Sequence, residues 1–494
     1  MHTVSLAAFS ALLICLAFAV KRWRRRALRN GLPLPPGPKG LPLVGNLLDI
    51  NFTAPWTTYE QWGKRYGGIS YCTVLGQGFV IINDEEIAHE LILKRPSIYS
   101  DRPPLCTNEL FGLDFNTGFL PYGDEWRLHR RMYNVAFSQQ ITKKYQLVQM
   151  SKVHQLLVNL LSTPLDYPNH FATLSTAIIM AITYGYEVAS NGDPFVTNVV
   201  SLAELATIAF TSERAALLNA IPLLAYIPSW LPGGHFKQQA TESRTLARIA
   251  LDDPVKYVQD KMAAGTATTS FVGDLFEMEI GNDLVSFKDE AVKAVAATVF
   301  LAGAETVKAQ EEIDRVVGDA RLPEFKDREH LPYVEALLIE TLRWKPIVPL
   351  MLRHTTTAAD VYHGMYIPKD TTVIVNYWAI TRNEMRYPNP AAFNPERHLT
   401  AGGTLAEGTA PPYFGLGRRI CPGKYVAEQS IWAAIVSILA TLRIRKARDD
   451  AGREIDFTPV FTTGMTSHPK PFRCSIEARS PRAAELIYAS ISAN

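Results

Sequence analysis

The sequence predicts a mainly helical protein with a small β portion, in which one large domain follows an N-terminal transmembrane helix. Helical periodicity dominates residues 84–320, whereas strand-like patterns are confined to residues 68–82 and 361–376. An apolar run opens the chain, and no Pro/Gly-rich linker long enough to divide residues 45–494 follows. With 494 residues, 47% of them hydrophobic, the chain can form a sizeable buried core.

The first predicted element is a transmembrane signal anchor over residues 1–20. Val4 to Val20 is apolar except for Ser5 and Ser10, which is close to the minimum length for spanning a ~30 Å hydrocarbon core. Six basic side chains and no acidic ones occur in residues 1–30, all of them after the apolar run. A cleaved secretory signal, the alternative, has its basic residues before the run. The observed order therefore favours an uncleaved anchor with the domain in the cytoplasm.

Residues 21–44 are predicted to be a basic and proline-rich linker. The segment Leu34-Pro35-Pro36-Gly37-Pro38 is followed by Gly40, Pro42 and Gly45. Because proline fixes φ and lacks an amide donor, this stretch is expected in neither a helix nor a central strand. We interpret it as a stiff spacer between the anchor and a domain over residues 45–494.

Within the domain, the alternation over residues 68–82, ended by Asn83-Asp84, predicts a hairpin. Turn clusters at 164–169, 191–194 and 228–234 break the helical stretch. Residues 361–376 are predicted to form short strands around turns.

Charge and cysteine content exclude several classes of function. Residues 31–494 carry 44 basic and 48 acidic side chains, a net charge of −4, so nothing indicates nucleic-acid binding. Five cysteines are widely spaced without a C-x-x-C pair, which argues against a disulfide framework and a structural zinc site. No G-x-G-x-x-G follows a strand and no Walker-type loop occurs, so the chain has no nucleotide-binding domain of its own.

The strongest chemical signal is a glycine-rich loop that carries a cysteine towards a helix. It is Phe414-Gly415-Leu416-Gly417-Arg418-Arg419-Ile420-Cys421-Pro422-Gly423, followed by helical spacing over residues 424–440. Pro422 suits a first helical position, so Cys421 is expected at a helix N-terminus beside arginine, with a lowered pKa. Gly417 would allow close approach of a flat ligand, and Phe414 would shield the sulfur. An ordinary structural cysteine is the alternative, which the surrounding loop disfavours.

This loop resembles the F-x-x-G-x-R-x-C-x-G signature of the cytochrome P-450 family of haem-thiolate monooxygenases at every fixed position. Four further segments resemble family motifs in the family's order: Trp126-Arg127-Leu128-His129-Arg130, Ala302-Gly303-Ala304-Glu305-Thr306, Glu340-Thr341-Leu342-Arg343 and Phe393-Asn394-Pro395-Glu396-Arg397. The anchor and hinge are similar to those of microsomal members, and residues 99–103 and 467–472 to fungal secondary-metabolism members. The resemblance covers nearly the whole chain and implies the cytochrome P-450 fold.

For the cofactor, the resemblance implies haem b, iron protoporphyrin IX, with Cys421 as the axial ligand of the iron. It also implies that Trp126, Arg130, Arg419 and His354 hold the haem propionates. His354 has a second interpretation, as a loop histidine satisfied by the protein.

For catalysis and folding, the resemblance implies two further groups. Glu305 and Thr306 would deliver protons beside a notch of small residues. Glu340 and Arg343, at i and i+3 on one helical face, would join Arg397 in a structural network that braces the cysteine loop. The alternative for the i,i+3 pair is a surface contact of about 0.3 kcal/mol.

The chain departs from the family after Thr306 and Val307. There an apolar helix over residues 291–302 passes within a few residues into the densely charged segment Lys308–Gly318. By comparison with the family, about 20 residues, five or six helical turns, are missing. A skipped exon or faulty gene model explains this more simply than an evolved shortening. A continuous helix over 290–317 would leave the core contacts of the missing segment unfilled. A haem-poor or inactive product is therefore the alternative to an active enzyme.

The resemblance implies a monooxygenase that inserts one oxygen atom of O2 into a hydrophobic small molecule, in fungal secondary metabolism or xenobiotic oxidation. A haem isomerase or dehydratase without a reductase is a further alternative, which Glu305-Thr306 disfavours. The pocket would be lined by mostly apolar stretches at 105–120, 200–232, 295–306, 347–352 and 462–466.

The resemblance also implies partners and a location. NADPH would act through a separate flavoprotein reductase, with cytochrome b5 as a further candidate donor. Arg418 and Lys424, close to the cysteine, would help the reductase dock. The expected location is the endoplasmic reticulum membrane, with a single span and the catalytic domain in the cytoplasm.

Overall fold

The computed structural model of the chain describes residues 29–189, 193–209, 218, 236–277, 309–456, 460–467 and 469–492. Its α-helices are α1 Pro55–Tyr66, α2 Glu85–Ala88, α3 Pro96–Tyr99, α4 Cys106–Phe111, α5 Asp124–Phe137, α6 Gln146–Ser162, α7 Tyr167–Tyr184, α8 Pro194–Ala209, α9 Phe236–Ala263, α10 Phe271–Glu277, α11 Ala309–Val316, α12 Pro332–Trp344, α13 Tyr377–Ile380, α14 Lys424–Thr441 and α15 Pro481–Ser492. Its strands are β1 Ile69–Val74, β2 Gln77–Ile82, β3 His354–Thr355, β4 Asp360–Tyr362, β5 Met365–Ile367, β6 Thr372–Val375, β7 Leu442–Lys446 and β8 Cys474–Ala478. The predicted mainly helical fold with a small β portion is confirmed for these residues.

The largest sheet of the described residues has the strand order β1-β2-β6-β3. β1 and β2 are antiparallel, β2 and β6 are parallel, and β3 returns antiparallel to β6 with His354 opposite Val373. Two-stranded sheets pair β4 with β5 and β7 with β8. The sheet therefore joins residues near positions 80 and 373, which are distant in sequence.

The predicted hairpin over residues 68–82 is confirmed as β1 and β2. Its two-residue turn, Leu75-Gly76, has φ values of +48° and +82°, as type I′ turns require. Asp84, which ends the alternation, caps α2 by accepting a hydrogen bond from the Ile87 amide at 2.9 Å. The second strand segment gives β4, β5 and β6.

The proline-rich stretch, predicted to be a stiff spacer, is bound to the domain over the described part of its length. The Pro33 carbonyl accepts a hydrogen bond from the Tyr366 amide at 2.7 Å, and the Pro36 carbonyl accepts one from Tyr71 at 2.9 Å. A Cβ at Gly37 would lie 2.0 Å from the Tyr71 carbonyl oxygen. Proline lacks a donor but keeps its acceptor, so these residues dock on the edges of β1 and β5.

Helix α14 lies at the centre of the fold and leads directly out of the cysteine loop. Beyond its first turns it is buried almost all round, with Trp432 and Val436 completely inaccessible. It packs in one apolar cluster with α11 and α12, through residues such as Ile313 and Leu338. A helix apolar on every side is expected in a protein core. The loop that precedes α14 is therefore held on a rigid element.

The predicted anchor at 1–20 lies outside the described residues, as does the predicted apolar helix at 291–302 with the segment up to Thr306. Within the described part of the chain, no helix is both long and apolar enough to cross a membrane. The Glu312 carboxylate in α11 accepts hydrogen bonds from the Tyr333 and Val334 amides at 3.0 Å and so caps α12.

Candidate active site

The cysteine loop is a compact turn that presents Cys421 between its last 3-10 turn and α14. Gly415 and Gly417 have φ values of +86° and +62°, which favour glycine. The Cys421 amide donates to the Phe414 carbonyl at 2.8 Å, which closes the loop. α14 begins at Lys424 and not at the predicted Pro422, because Pro422 lies in a turn closed by a hydrogen bond from Lys424 to Cys421.

The pKa predicted for Cys421 is corrected by the structure. Burial in the fold raises the pKa of this thiol, and the opposing effects of the Gly423 amide and Arg130 are smaller. The expected lowering by a helix N-terminus is weak because the helix starts three residues later. Cys421 is nevertheless exposed to solvent, although protein atoms surround it on most sides. The sulfur can therefore contact a ligand.

Trp126, Arg130 and Arg419 meet beside the cysteine, as the spacing of the first two predicts. Arg130 donates from Nη1 to the Ile420 carbonyl at 2.7 Å, so α5 holds the residue before Cys421. The guanidinium carbon atoms of Arg130 and Arg419 lie 5.8 and 4.5 Å from the centre of the Trp126 rings. These distances are within the range of cation–π contacts.

Arg419 carries the clearest unmet hydrogen-bonding capacity of the site. Its Nε donates to the Ser100 carbonyl at 2.7 Å, while Nη1 and Nη2 are buried without a partner. Burial lowers its pKa to about 10, and the nearby Arg130 adds to this shift. A buried guanidinium with two unsatisfied nitrogens is costly unless an anion meets it.

Arg102 is a further member of this cluster that the sequence interpretation missed. It is 6% exposed and donates from Nε and Nη1 to the carbonyl oxygens of Gly118, Leu352 and Arg353. Burial, followed by the charge of Arg419, lowers its pKa to about 9. Asp101 is the carboxylate that counteracts both shifts. In the sequence, Arg102 lies in the segment 99–103, which resembles family members. That resemblance assigns no role to Arg102.

His354, the fourth predicted propionate ligand, lies at the edge of the same cluster. Its Nδ1 is 2.7 Å from the Tyr99 carbonyl, so the satisfied interpretation holds for this nitrogen. Burial lowers the pKa of His354 well below its ordinary value, and Arg102 and Arg419 add to that effect. The imidazole is therefore neutral, with Nδ1 as the donor, and contributes no positive charge of its own.

Gly417 and Phe414, two residues of the loop, both contact other parts of the protein. A Cβ at Gly417 would lie 3.1 Å from the Ile92 carbonyl oxygen, so the close approach in this structure is to the protein's own backbone. Ile92 belongs to the π-helix His89–Leu93. The Phe414 ring makes an edge contact with Tyr413, with centroids 5.0 Å apart.

The predicted network of Glu340, Arg343 and Arg397 is present and fully buried at its centre. Arg343 donates from Nε and Nη2 to the Glu340 carboxylate at 2.6 and 2.8 Å, and Arg397 Nε donates at 3.2 Å. Both Glu340 and Arg343 are 0% exposed, so the alternative of a surface pair is wrong. Two partners were not predicted: the Asn394 amide at 2.7 Å and His398 Nε2 at 3.0 Å.

These partners decide the charge of Glu340. Burial alone would raise its pKa, but hydrogen bonds from Arg343, His398 and the Asn394 amide together lower it to about 2. The carboxylate therefore stays ionised at the centre of the network. The 3-10 helix Pro395–His398 brings Arg397 and His398 to it from one short element.

Stretches predicted to line the substrate pocket meet in one apolar cluster. Phe111 and Leu113 are buried in it, Phe115, Phe119 and Met465 pack against it, and α8 and α9 contribute further residues. Residues 105–120 and 462–466 are thus adjacent. The stretch 295–306, which includes Phe300, Glu305 and Thr306, lies outside the described residues. Leu350 packs in a different cluster, with β1 and β2.

The donor set fits the haem that the resemblance implies. An accessible thiol suits an iron atom, and haem carries two carboxylates that suit the buried guanidinium groups. The orphaned nitrogens of Arg419 are the observation that supports this fit.

Comparisons with known proteins agree. The sequence model of the family "Cytochrome P450" matches residues 35–309 and 307–476. The cytochrome P450 monooxygenase COX2 of Coprinopsis cinerea is 37% identical over 486 residues, covering 93% of this chain and 92% of the relative. The cytochrome P450 monooxygenase ple1 of Rhodocybe pseudopiperita is 35% identical over 507 residues, covering 98% and 96%. The cytochrome P450 monooxygenase claR of Ampulloclitocybe clavipes is 36% identical, covering 93% and 88%. The chain therefore belongs to the cytochrome P450 family of oxygen-incorporating oxidoreductases.

Proposed function

We propose that this chain is a membrane-anchored haem monooxygenase that inserts one oxygen atom of O2 into a hydrophobic small molecule. The observation that carries the proposal is the accessible Cys421 thiol beside Arg419, whose buried Nη1 and Nη2 lack a partner. Cys421 would bind the iron of haem b, while Arg419, Arg130 and Trp126 would hold the propionates. When bound, the haem supplies the activation of O2. Since coordination deprotonates a thiol, it would overcome the raised pKa of Cys421.

The test is the reduced carbon-monoxide difference spectrum of the purified full-length chain. A strongly red-shifted Soret band is expected, because a thiolate ligand from Cys421 would donate electron density to the iron. Turnover should require NADPH and a flavoprotein reductase, which distinguishes a monooxygenase from a haem isomerase or dehydratase. A band typical of a neutral axial ligand, or no band, would count against the proposal.

Arg419→Met is expected to lower haem affinity about tenfold or more, because it removes charge-assisted hydrogen bonds to a propionate. Haem titration of the apoprotein measures this directly. Arg418→Met is the matched control, since Arg418 is the adjacent residue, is exposed, and donates from Nη1 to the Tyr122 hydroxyl at 3.0 Å. Equal haem affinity in both variants would remove Arg419 from the cofactor site.

Protons would be delivered by Glu305 and Thr306, which lie outside the described residues. The support for this assignment is the resemblance of residues 302–306 to the oxygen-activation motif of the family. A carboxylate and a hydroxyl close to the site of O2 binding are suited to relaying protons.

Electrons would come from NADPH through a flavoprotein reductase, with cytochrome b5 as a further donor. Arg418 is exposed, and Lys424 lies 3.9 Å from Glu428 with its side chain 33% exposed. The double variant Arg418→Glu/Lys424→Glu is expected to slow reduction by the reductase about tenfold at low salt, through lost electrostatic steering. Stopped-flow reduction measures this effect.

The control for this prediction is Arg443→Glu/Arg445→Glu on β7, which changes the net charge equally at another exposed site. Substrate binding, followed by its spectral shift, should be unaltered in both double variants. Unchanged reduction by the Arg418/Lys424 variant would refute the docking site.

The substrate would be a hydrophobic small molecule of secondary metabolism or a xenobiotic. The apolar cluster around Phe111, Leu113 and Phe119 supports this class, since pockets for such ligands are lined mainly by apolar side chains. The relatives named above are fungal monooxygenases, and their names specify no substrate.

The enzyme would be held in the endoplasmic reticulum membrane by residues 1–20, with its domain in the cytoplasm. Asn51-Phe52-Thr53 matches the N-glycosylation acceptor pattern, and all three residues are exposed. Expression in microsomes should therefore leave Asn51 unglycosylated, while a glycosylation tag added at the N-terminus should be modified in the lumen. A gel shift of the wild type that Asn51→Gln abolishes would place the domain in the lumen instead.

The alternative is a haem-poor or inactive product that lacks part of the helix before Lys308. The two stretches matched by the family meet at residues 307–309, where the sequence predicts the missing segment. The alignment with ple1 spans 507 positions, more than the 494 residues of this chain, so that relative has positions without a counterpart here. Similarity to monooxygenases over nearly the full length favours the active enzyme. The carbon-monoxide spectrum decides between the two.

A further inference from the structure

Two side chains outside the family signature connect the two ends of the cysteine loop. Tyr413 immediately precedes Phe414, and Glu428 lies in the second turn of α14, after Cys421. The Tyr413 hydroxyl donates to Glu428 Oε1 at 3.2 Å. The chain leaves Tyr413, forms the loop around Cys421 and returns within hydrogen-bonding distance of the same residue.

Both partners lie in surroundings that make this hydrogen bond worth more than a surface contact. The Tyr413 ring packs against the apolar cluster that includes Trp432 of α14. Burial raises the pKa of Tyr413 and also that of Glu428. The Glu428 side chain is 17% exposed, and Lys424 is its nearest cation at 3.9 Å. A carboxylate so enclosed needs a donor, and the Tyr413 hydroxyl provides it.

Contacts lead from this hydrogen bond to the cysteine. The Tyr413 ring meets the Phe414 ring edge-on, with centroids 5.0 Å apart. The Phe414 carbonyl accepts the Cys421 amide at 2.8 Å. A shift of Tyr413 would therefore move the group to which the Cys421 backbone is bound.

The family motifs restrain other parts of the loop. Arg130 holds the Ile420 carbonyl, Arg419 is bound to the Ser100 carbonyl, and Gly417 rests against Ile92. All three restraints act on residues 417–420. Tyr413 restrains the opposite end, where the chain enters the loop.

We infer that the hydrogen bond between Tyr413 and Glu428 is a positioning contact. It fixes the start of the cysteine loop to α14 and so keeps Cys421 aligned with the haem iron. The inference rests on the proposed role of Cys421 as the ligand of haem iron. Tyr413 and Glu428 act through Phe414 and do not touch the reacting atoms.

Four variants distinguish the effect of losing the hydrogen bond from the effects of losing the charge or changing the side-chain volume. Tyr413→Phe removes only the donor, and Glu428→Ala removes the acceptor. Glu428→Gln keeps an oxygen acceptor but removes the charge. Tyr425→Phe, the same change on the first turn of α14, is the control.

The first readout is amide hydrogen exchange of residues 412–424 in the apoprotein, which does not depend on bound haem. Tyr413→Phe and Glu428→Ala should each raise exchange at the Cys421 amide about tenfold, the factor expected for the loss of one buried hydrogen bond. Glu428→Gln and Tyr425→Phe should match the wild type. Equal exchange in all four variants would overturn the inference, as would a Glu428→Gln variant as perturbed as Glu428→Ala.

The second readout is the fraction of the reduced carbon-monoxide complex that converts with time from thiolate to neutral ligation. This conversion should be faster in Tyr413→Phe and Glu428→Ala alone. A wild type without the thiolate band refutes the proposed function, and the alignment role falls with it. A wild-type band with identical conversion in every variant leaves the proposed function intact and overturns only the positioning contact.

Discussion

Replacement of Cys421 by alanine is expected to abolish the red-shifted Soret band of the reduced carbon-monoxide complex and to eliminate NADPH-dependent turnover. The sulfur is the accessible ligand atom beside Arg130 and the buried guanidinium nitrogens of Arg419. Cys421 would hold the haem iron through its thiolate, and the alanine variant would lack the electron donation on which O2 activation depends. Cys421→Ser tests the same point with a smaller change in volume. Haem absorbance and product formation measure the two losses separately.

Cys106 provides the control for this variant, because it is also exposed but lies in α4. Cys106→Ala should retain the band. Haem held by Arg419, Arg130 and Trp126 could remain in Cys421→Ala, with a spectrum typical of a neutral ligand. A red-shifted band that survives in Cys421→Ala would contradict the assignment of the iron ligand.

The sequence was sufficient for the parts of the site that depend on local spacing. Trp126 and Arg130, one helical turn apart, do share one environment with Arg419. Glu340 and Arg343, at i and i+3, do form a pair. In both cases a short segment fixes the relative positions of the side chains, so the spacing determines the contact.

Contacts between distant segments could not be predicted in the same way. Arg102 joins the cluster because Leu352 and Arg353, just before β3, accept hydrogen bonds from it, a relation without a local pattern in the sequence. His398 reaches Glu340 across 58 positions of sequence. The pKa of Cys421 was predicted in the wrong direction because burial, which only the fold determines, outweighs the neighbouring dipoles and charges.

Prolines in the linker show the same limit for the fold. Their missing donors suggested a stiff spacer between two parts of the chain, and nothing in the sequence indicated that the carbonyl oxygens of Pro33 and Pro36 accept hydrogen bonds from strands β5 and β1. The helix after the cysteine was predicted to begin at Pro422, yet the turn closed by Cys421 and Lys424 delays it. Residue preferences identified these elements, and tertiary contacts set their boundaries.

Replacement of Glu340 by alanine is expected to lower the free energy of unfolding by about 3–5 kcal/mol. The variant leaves Arg343, which is 0% exposed, without its carboxylate, and it removes the common acceptor of Arg397 and His398. Such a loss is a large fraction of the ~5–15 kcal/mol by which proteins are stable. Glu335→Gln on the same helix is the control, because Glu335 and Arg328 are partly exposed and their pair is worth about 1 kcal/mol or less.

In the wild type, the same network should make the free energy of unfolding depend on pH. The pKa of Glu340 is about 2 in the folded chain against an ordinary value of 4.5. The unfolded state therefore binds the proton first, and the contribution of Glu340 is complete above pH 4.5 and is lost as the pH falls towards 2. The shift corresponds to about 3 kcal/mol. Denaturant unfolding between pH 7 and pH 3 should show stability falling below pH 4.5 in the wild type and in Glu335→Gln, and falling less steeply in Glu340→Ala. Parallel pH profiles for all three chains would show that the ionised Glu340 does not hold the network together.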